Sequence, residues 1–76
     1  MPPVRDDLAA VADRIQAMWE AGRICSLVGR GMRARVLRAG RLVEAGRLTP
    51  AEARQVAREA EGVATSFAPL PEPPHE

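Results

Sequence analysis

A four-residue phrase, Ala-Gly-Arg followed by an aliphatic residue, constrains the fold of this chain more than any other feature. It occurs at Ala21–Ile24, Ala39–Leu42 and Ala45–Leu48, and the first and third copies directly follow a glutamate. A glycine that follows a helical run is the usual C′ residue, because it adopts a positive φ without steric cost. Gly22 and Gly46 therefore predict two helix ends with tight turns, which divide the 76 residues into three helices.

The first and third segments carry clear helical patterns. The first predicted helix covers about residues 6–21, with two aspartates in the turn where carboxylates favour a helix N-terminus. The third covers about residues 50–66, where Thr49 as N-cap and Glu52 three residues later form a capping box. Helical spacing predicts that these two helices bury Leu8, Val11, Ala12, Ile15, Met18 and Trp19, and Ala53, Val56, Ala57, Ala60, Val63 and Phe67.

The middle helix is predicted over about residues 26–45, with Ser26 as its N-cap. Steps of about 100° per residue gather one apolar arc. Its members are Ile24, Cys25, Val28, Met32, Val36, Ala39, Leu42 and Val43. A glycine inside a helix costs roughly 1 kcal/mol relative to alanine, so the pair Gly29 and Gly31 predicts a break or kink.

These patterns predict an all-α fold in which residues 1–67 form a small bundle of three short helices. Four prolines make residues 68–76 an extended or disordered tail. The chain has one Trp, one Phe and no Tyr, and a chain of this length buries only roughly 60% of its unfolded surface. We therefore expect self-association or a protein partner to supplement the core.

The residue types present do not favour catalysis. Cys25 is the only Cys and His75 the only His, which excludes an internal disulfide and disfavours a Cys/His metal site. The sequence contains no Ser–His or Cys–His pair and no glycine-rich phosphate loop. We expect no enzymatic activity, no cofactor, no metal and no small-molecule substrate.

Composition also indicates a cellular setting. The first residues lack the pattern of a signal peptide, and no run of about 18 apolar residues is present. A lone thiol is typical of a reducing compartment, so we expect a cytoplasmic protein. The chain has no Lys, Asn or Tyr and is rich in Ala, Arg, Gly and Pro, which suggests a high-GC bacterial, phage or plasmid gene.

Positive charge is concentrated in the middle third. Residues 23–47 contain seven of the chain's 11 Arg residues and one acid, Glu44, for a net charge of +6. Residues 1–22 contain two Arg and four acids, and residues 48–76 contain two Arg and five acids, so their net charges are −2 and −3. The seven are Arg23, Arg30, Arg33, Arg35, Arg38, Arg41 and Arg47.

Most of these Arg residues fall opposite the apolar arc, together with Leu27 and Leu37. Arg35 is predicted at the edge of the arc, where its methylenes can cover the core. Three interpretations are open: pairing with acids of the neighbouring helices, docking on an acidic protein surface, or contact with nucleic-acid phosphates. The acids considered for internal pairing are Asp13, Glu20, Glu59 and Glu61.

The function predicted from these features is non-enzymatic protein binding, as a subunit, adaptor, inhibitor or homo-oligomer. The predicted partner-binding residues are Arg30, Arg33, Arg38, Arg41, Leu27, Leu37 and Trp19. The alternative is nucleic-acid binding, with the same Arg residues on phosphates. A membrane surface is less favoured, because the apolar side of the helix is modest and interrupted by glycine.

Overall fold

The computed structural model describes residues 4–69, which form three α-helices and contain no strand. The helices are α1 (Val4–Glu20), α2 (Ser26–Glu44) and α3 (Pro50–Thr65). The predicted all-α fold is confirmed. Short turns make α2 antiparallel to both neighbours, and α2 packs against each of them. The predicted tail falls mostly on residues 70–76, outside the described residues.

Both turns close with the same hydrogen bonds. Gly22 and Gly46 each have a φ of 71°. In the first turn the backbone N–H of Arg23 donates to the carbonyl of Met18 at 2.9 Å, and the corresponding bond of the second turn measures 2.8 Å. This bond, from the residue after the glycine to the carbonyl five positions earlier, defines the Schellman motif. The first and third copies of the phrase thus produce two copies of one helix cap, as predicted, whereas the copy at Ala39–Leu42 lies within α2.

The two later helices begin differently. At α3 the hydroxyl of Thr49 accepts a hydrogen bond from the N–H of Glu52 at 3.1 Å, and the Glu52 carboxylate accepts one from the N–H of Thr49 at 3.0 Å. The predicted capping box is therefore confirmed. At α2 the N-cap is Cys25, which makes no side-chain capping bond. The prediction for Ser26 was wrong, because Ser26 is already the first helical residue.

The core is built largely from alanine. Its buried apolar residues are Leu8, Ala12, Ile15, Ile24, Val36, Ala39, Ala53, Ala57, Ala60 and Ala64. All four that α3 contributes are alanines, so its backbone lies close to the other helices. Val63 and Phe67 were predicted in this core, but they are 39% and 52% exposed. Ala64 takes the inward position instead, and Phe67 lies beyond the end of α3, where its carbonyl accepts the N–H of Cys25 at 3.1 Å.

Two glycines bring α2 close to α1. A Cβ placed on Gly29 would lie 2.7 Å from Cε3 of Trp19, and one on Gly40 would lie 3.5 Å from Cδ1 of Leu8. The predicted break near Gly29 and Gly31 is not present, since α2 runs through both residues as one helix. The absence of a side chain at Gly29 permits the contact that holds α1 in place.

Ion pairs join the outer helices. Arg14 of α1 donates from Nε and Nη2 to the two carboxylate oxygens of Glu61 in α3, at 2.9 and 3.0 Å. Nearer the other end, Arg54 of α3 donates to the carboxylate of Asp7 at 3.1 and 3.3 Å. A guanidinium that bonds both carboxylate oxygens fixes geometry better than a single bond, so the Arg14–Glu61 pair contributes most to the register of α1 against α3. Both bonds of Arg54 go to one oxygen, Oδ2 of Asp7.

The stability of the bundle should fall as the pH drops below about 4.5. The hydrogen bonds from Arg14 lower the pKa of Glu61, and the backbone N–H of Thr49 lowers the pKa of Glu52, below the ordinary value of 4.5. A carboxyl group with a lower pKa in the folded state binds protons more strongly when unfolded. Its stabilising contribution is therefore present above pH 4.5 and is lost as the pH falls through the folded-state pKa.

Thermal unfolding followed by circular dichroism at pH 7 and pH 3 measures this loss. Glu61→Gln should reduce the loss, because that carboxyl no longer titrates. Glu59→Gln is the control, since the Glu59 carboxylate bonds only to the side chain of Gln55. An equal loss in the wild type and both variants would show that the Arg14–Glu61 pair does not contribute.

Candidate partner-binding face

The side of α2 that points away from both neighbouring helices is exposed and positively charged. We call it the basic face; it comprises Leu27, Arg30, Gly31, Ala34, Arg38 and Arg41, all of them exposed. At about 100° per residue these positions share one arc. The opposite arc holds Gly29, Val36 and Ala39, which are buried. The packing of α2 between α1 and α3 thus determines which of its residues point outward.

Leu27 is the apolar element of the basic face. It is 79% exposed, the highest value among the large hydrophobic residues of the described chain. It lies one turn from Arg30 and two turns from Ala34, so apolar and cationic groups are interleaved. Burying a leucine side chain stabilises a complex by roughly 1.5–3 kcal/mol. A partner that covers Leu27 therefore gains affinity from a contact that the bundle itself does not use.

The guanidinium groups of the middle segment lack acidic partners within the described residues. The three ion pairs found in residues 4–69 use Arg5, Arg14 and Arg54, all on α1 or α3. Pairing with acids of the neighbouring helices, one of the three open interpretations, is not observed among these residues. Glu61, considered for that role, binds Arg14 instead. The charges of the basic face therefore remain available to an external anion.

One of the Arg residues is placed differently from the prediction. Arg33, predicted on the basic side, is half-buried, and its Nε is buried without a hydrogen-bond partner. The reason is that Gly29 and Gly40 both belong to the packed side of α2, so this side extends farther toward α1 than predicted. Arg33 lies on the extended part and is therefore half-buried. Arg35 is exposed and lines the groove between α2 and α3 with Leu42 and Val56, at the edge of the apolar arc as predicted. Arg30, Arg38 and Arg41 are exposed as predicted from the helical spacing.

The remaining predicted residues, Leu37 and Trp19, contribute to packing. Leu37 is half-buried and lines the groove between α1 and α2 with Leu8 and Gly40, rather than lying on the basic side. Trp19 is also half-buried, with its ring against Gly29. Neither residue lies on the basic face, whose predicted members are therefore Leu27 and the three exposed Arg residues.

Sequence reasoning missed a second charged feature, an acidic row on α1. It consists of Asp6, Asp13 and Glu20, which are exposed and spaced seven residues apart. Arg5 and Ala9 mark the side of α1 that meets α2, because Arg5 binds Glu44 at 3.4 Å and Ala9 lines the same groove. Asp7 and Arg14 mark the side that meets α3. Between these two sides, helical geometry places the acidic row outward and toward α2. The signal that could have revealed the row is its regular seven-residue spacing, which keeps the three acids on one side of a helix.

Comparison of the chain with protein-family models, curated proteins and solved structures returns no match. Within residues 4–69, no three His, Cys, Asp or Glu side chains are grouped so that they could hold a metal ion. None of the three described helices combines the length and apolar character that a membrane span requires. The charged and apolar surfaces described above are therefore the features from which a function can be inferred.

Proposed function

We propose that this protein acts by binding another protein, without catalysing a reaction, and that the basic face of α2 is its docking surface. The observation that supports this most directly is Leu27, which is 79% exposed on a face whose guanidinium groups have no ion-pair partner within residues 4–69. Such a protein would serve as a subunit, adaptor or inhibitor of a larger assembly, or form a homo-oligomer. Its lone thiol and its composition favour the cytoplasm of a bacterium, or a phage or plasmid origin.

An acidic protein surface matches both properties of the basic face. Carboxylates can receive the fork of N–H donors of Arg30 and Arg41 in bidentate pairs, which lysine cannot offer in the same geometry. The small residues Gly31 and Ala34 lie between the guanidinium groups and allow a partner helix to approach closely. Arginine is also among the residues that most often dominate the binding energy of protein interfaces.

Nucleic-acid binding is the second candidate, favoured by the same unpaired guanidinium groups. Arg30 and Arg41 lie about 16 Å apart along the axis of α2, a span that covers several phosphates. Two observations favour a protein instead. The acidic row on α1 lies beside the basic face and would repel an extended polyanion. The basic face also contains no aromatic residue on which an unpaired base could stack.

Affinity capture from a nuclease-treated bacterial extract tests the proposal. Immobilised wild-type protein should retain proteins of the extract, or added soluble copies of this chain, that Leu27→Asp and Arg30→Glu/Arg41→Glu retain at least tenfold less. The control is Arg47→Glu/Arg58→Glu, which changes the net charge equally at exposed positions outside the basic face. If the face variants retain the same proteins as the wild type, the basic face is not the docking surface.

A gel-shift series decides between the two candidates. Wild-type protein is titrated onto a 20-base-pair DNA duplex and a single-stranded RNA of equal length, at 50 and 200 mM NaCl. The protein-binding proposal expects no shift of either probe. A shift that weakens steeply with salt and disappears in Arg30→Glu/Arg41→Glu would replace it with nucleic-acid binding.

A further inference from the structure

We infer that the occupant of the basic face is a second copy of this chain, whose acidic row on α1 docks there in a two-fold symmetric dimer. The inference rests on the proposed function, since it uses the same docking surface and names the partner. It follows from two features of the bundle. Opposite charges lie side by side on one face, and they lie at matching heights, meaning positions along the helix axes.

The acidic row and the basic face are neighbours. Arg5 of α1 reaches Glu44 of α2 across the groove between these helices, and the acidic row lies just outside that groove on α1. Arg30 and Arg41 lie just outside the same groove on α2. The outward face of the α1–α2 pair therefore carries a negative edge and a positive edge that run along the whole bundle.

The charges on the two helices lie at matching heights. Three neighbouring pairs fix the register: Trp19 beside Gly29, Leu8 beside Gly40, and Arg5 beside Glu44. The residue numbers in each pair sum to 48 or 49, as expected for antiparallel helices.

The same register extends to the charged residues. It places Glu20 within two residues of the height of Arg30, and Asp6 within two residues of the height of Arg41. Asp13 comes within one residue of the height of Arg35, which lies outside the basic face. At 1.5 Å per residue these offsets are about 3 Å or less, which long arginine side chains easily span.

Only one kind of symmetry uses this arrangement. A two-fold axis parallel to the helices places α1 of one copy opposite α2 of the other at the same height, so each acidic row meets a basic face and this contact forms twice. A two-fold axis perpendicular to the helices would place acidic row against acidic row, which like-charge repulsion disfavours. The face is therefore complementary to itself in a single orientation.

The surface area that the dimer would bury indicates a weak association. Two helices about 25 Å long and about 9 Å apart present roughly 500 Å² per copy, so the dimer buries about 1,000 Å² in total. That value lies at the lower end for specific interfaces, so we expect a dissociation constant in the micromolar range. Because the attraction is largely between exposed charges, added salt should weaken it.

Sedimentation velocity of the full chain at 5–500 µM protein tests the dimer. We expect the wild type to dimerise in 50 mM NaCl and its dissociation constant to rise at least tenfold in 500 mM NaCl. Arg30→Glu/Arg41→Glu makes both edges of the face acidic, and Asp6→Lys/Glu20→Lys makes both mostly basic. Each variant should be monomeric alone, and an equimolar mixture of the two should form a heterodimer, because every contact in the mixture joins opposite charges. Arg47→Glu/Arg58→Glu should dimerise as the wild type does.

Three outcomes would overturn the inference: a wild type that stays monomeric at 500 µM in 50 mM NaCl, reversed variants that self-associate like the wild type, or a mixture that does not associate. The neutral variant Arg30→Gln/Arg41→Gln, which introduces no repulsion and favours helix, should weaken dimerisation at least tenfold even if a charge reversal fails to fold. A monomeric wild type that still retains proteins through the basic face would overturn the dimer and leave the proposed function standing. Retention that is indifferent to the basic face would refute the proposed function.

Discussion

Replacing Ile15 with alanine should destabilise the bundle by about 2–5 kcal/mol. Ile15 is fully buried and, with Val36, is one of the two largest fully buried side chains of the described residues. Much of the surrounding core is alanine, which has no flexible side chain to move into the space left behind. A loss of this size is a large fraction of the free energy of unfolding that a domain of this length has.

Urea-induced unfolding followed by circular dichroism gives the free energy of unfolding of each variant. Ile15→Val is the conservative control and should cost only about 0.5–1.5 kcal/mol, because it removes one methylene. Val11→Ala, on the same helix at a half-buried position, should cost less than Ile15→Ala. A loss below about 1 kcal/mol for Ile15→Ala would mean that the core is not centred where α1 meets the alanines of α3.

The features that were predictable from sequence are those fixed by local chemistry. A positive φ at Gly22 and Gly46, and the reciprocal bonds between Thr49 and Glu52, depend only on residues within one turn. Local backbone sterics and hydrogen bonding decide such structures before any tertiary contact forms. The number of helices, the C-terminal ends of α1 and α2, and the start of α3 follow from them.

The packing was less predictable, because it depends on which helix approaches which side. Gly29 was treated as part of a break, and neither Gly29 nor Gly40 was assigned to the packed side of α2, although a neighbouring helix can approach most closely where a side chain is missing. That omission shifted the predicted apolar arc and misplaced Arg33 and Leu37. The large residue Phe67 was assigned to the core by its hydrophobicity, although the inward positions of α3 are filled by alanines.

The candidate site was partly predictable for the same reason. Helical spacing alone identifies Arg30, Arg38 and Arg41 as outward-facing, since it needs only the period of one helix. The register of α1 against α2 decides two further things that this spacing does not contain. One is whether those charges are paired, and the other is whether an acidic row lies beside them at the same height. That register is set by contacts such as Trp19 with Gly29, which no single-helix pattern contains.

Alanine substitution at two glycines of one helix should have opposite effects. At Gly29 the new Cβ would lie 2.7 Å from Cε3 of Trp19 and 3.2 Å from both Cβ of Trp19 and Cδ1 of Ile24. The first separation is shorter than van der Waals contact, and the Cβ of Trp19 cannot rotate away because it is bonded to the backbone. Overpacking of this kind costs about 1–3 kcal/mol, of which improved helix propensity offsets at most about 1 kcal/mol.

At Gly31 an added Cβ would meet nothing within 4 Å, so the substitution changes only the helix propensity. Gly31→Ala should therefore stabilise the protein by up to about 1 kcal/mol. Gly62→Ala on α3 should behave like Gly31→Ala, because a Cβ at Gly62 would also meet nothing within 4 Å. Urea unfolding of the three variants measures the sign of each effect.

Emission from Trp19, the only Trp in the chain, reports whether its surroundings change, and it should shift in Gly29→Ala alone. If Gly29→Ala is stabilised and its emission is unchanged, α1 and α2 do not approach each other at this glycine. The contact between Trp19 and Gly29 would then no longer support the register that aligns the acidic row with the basic face.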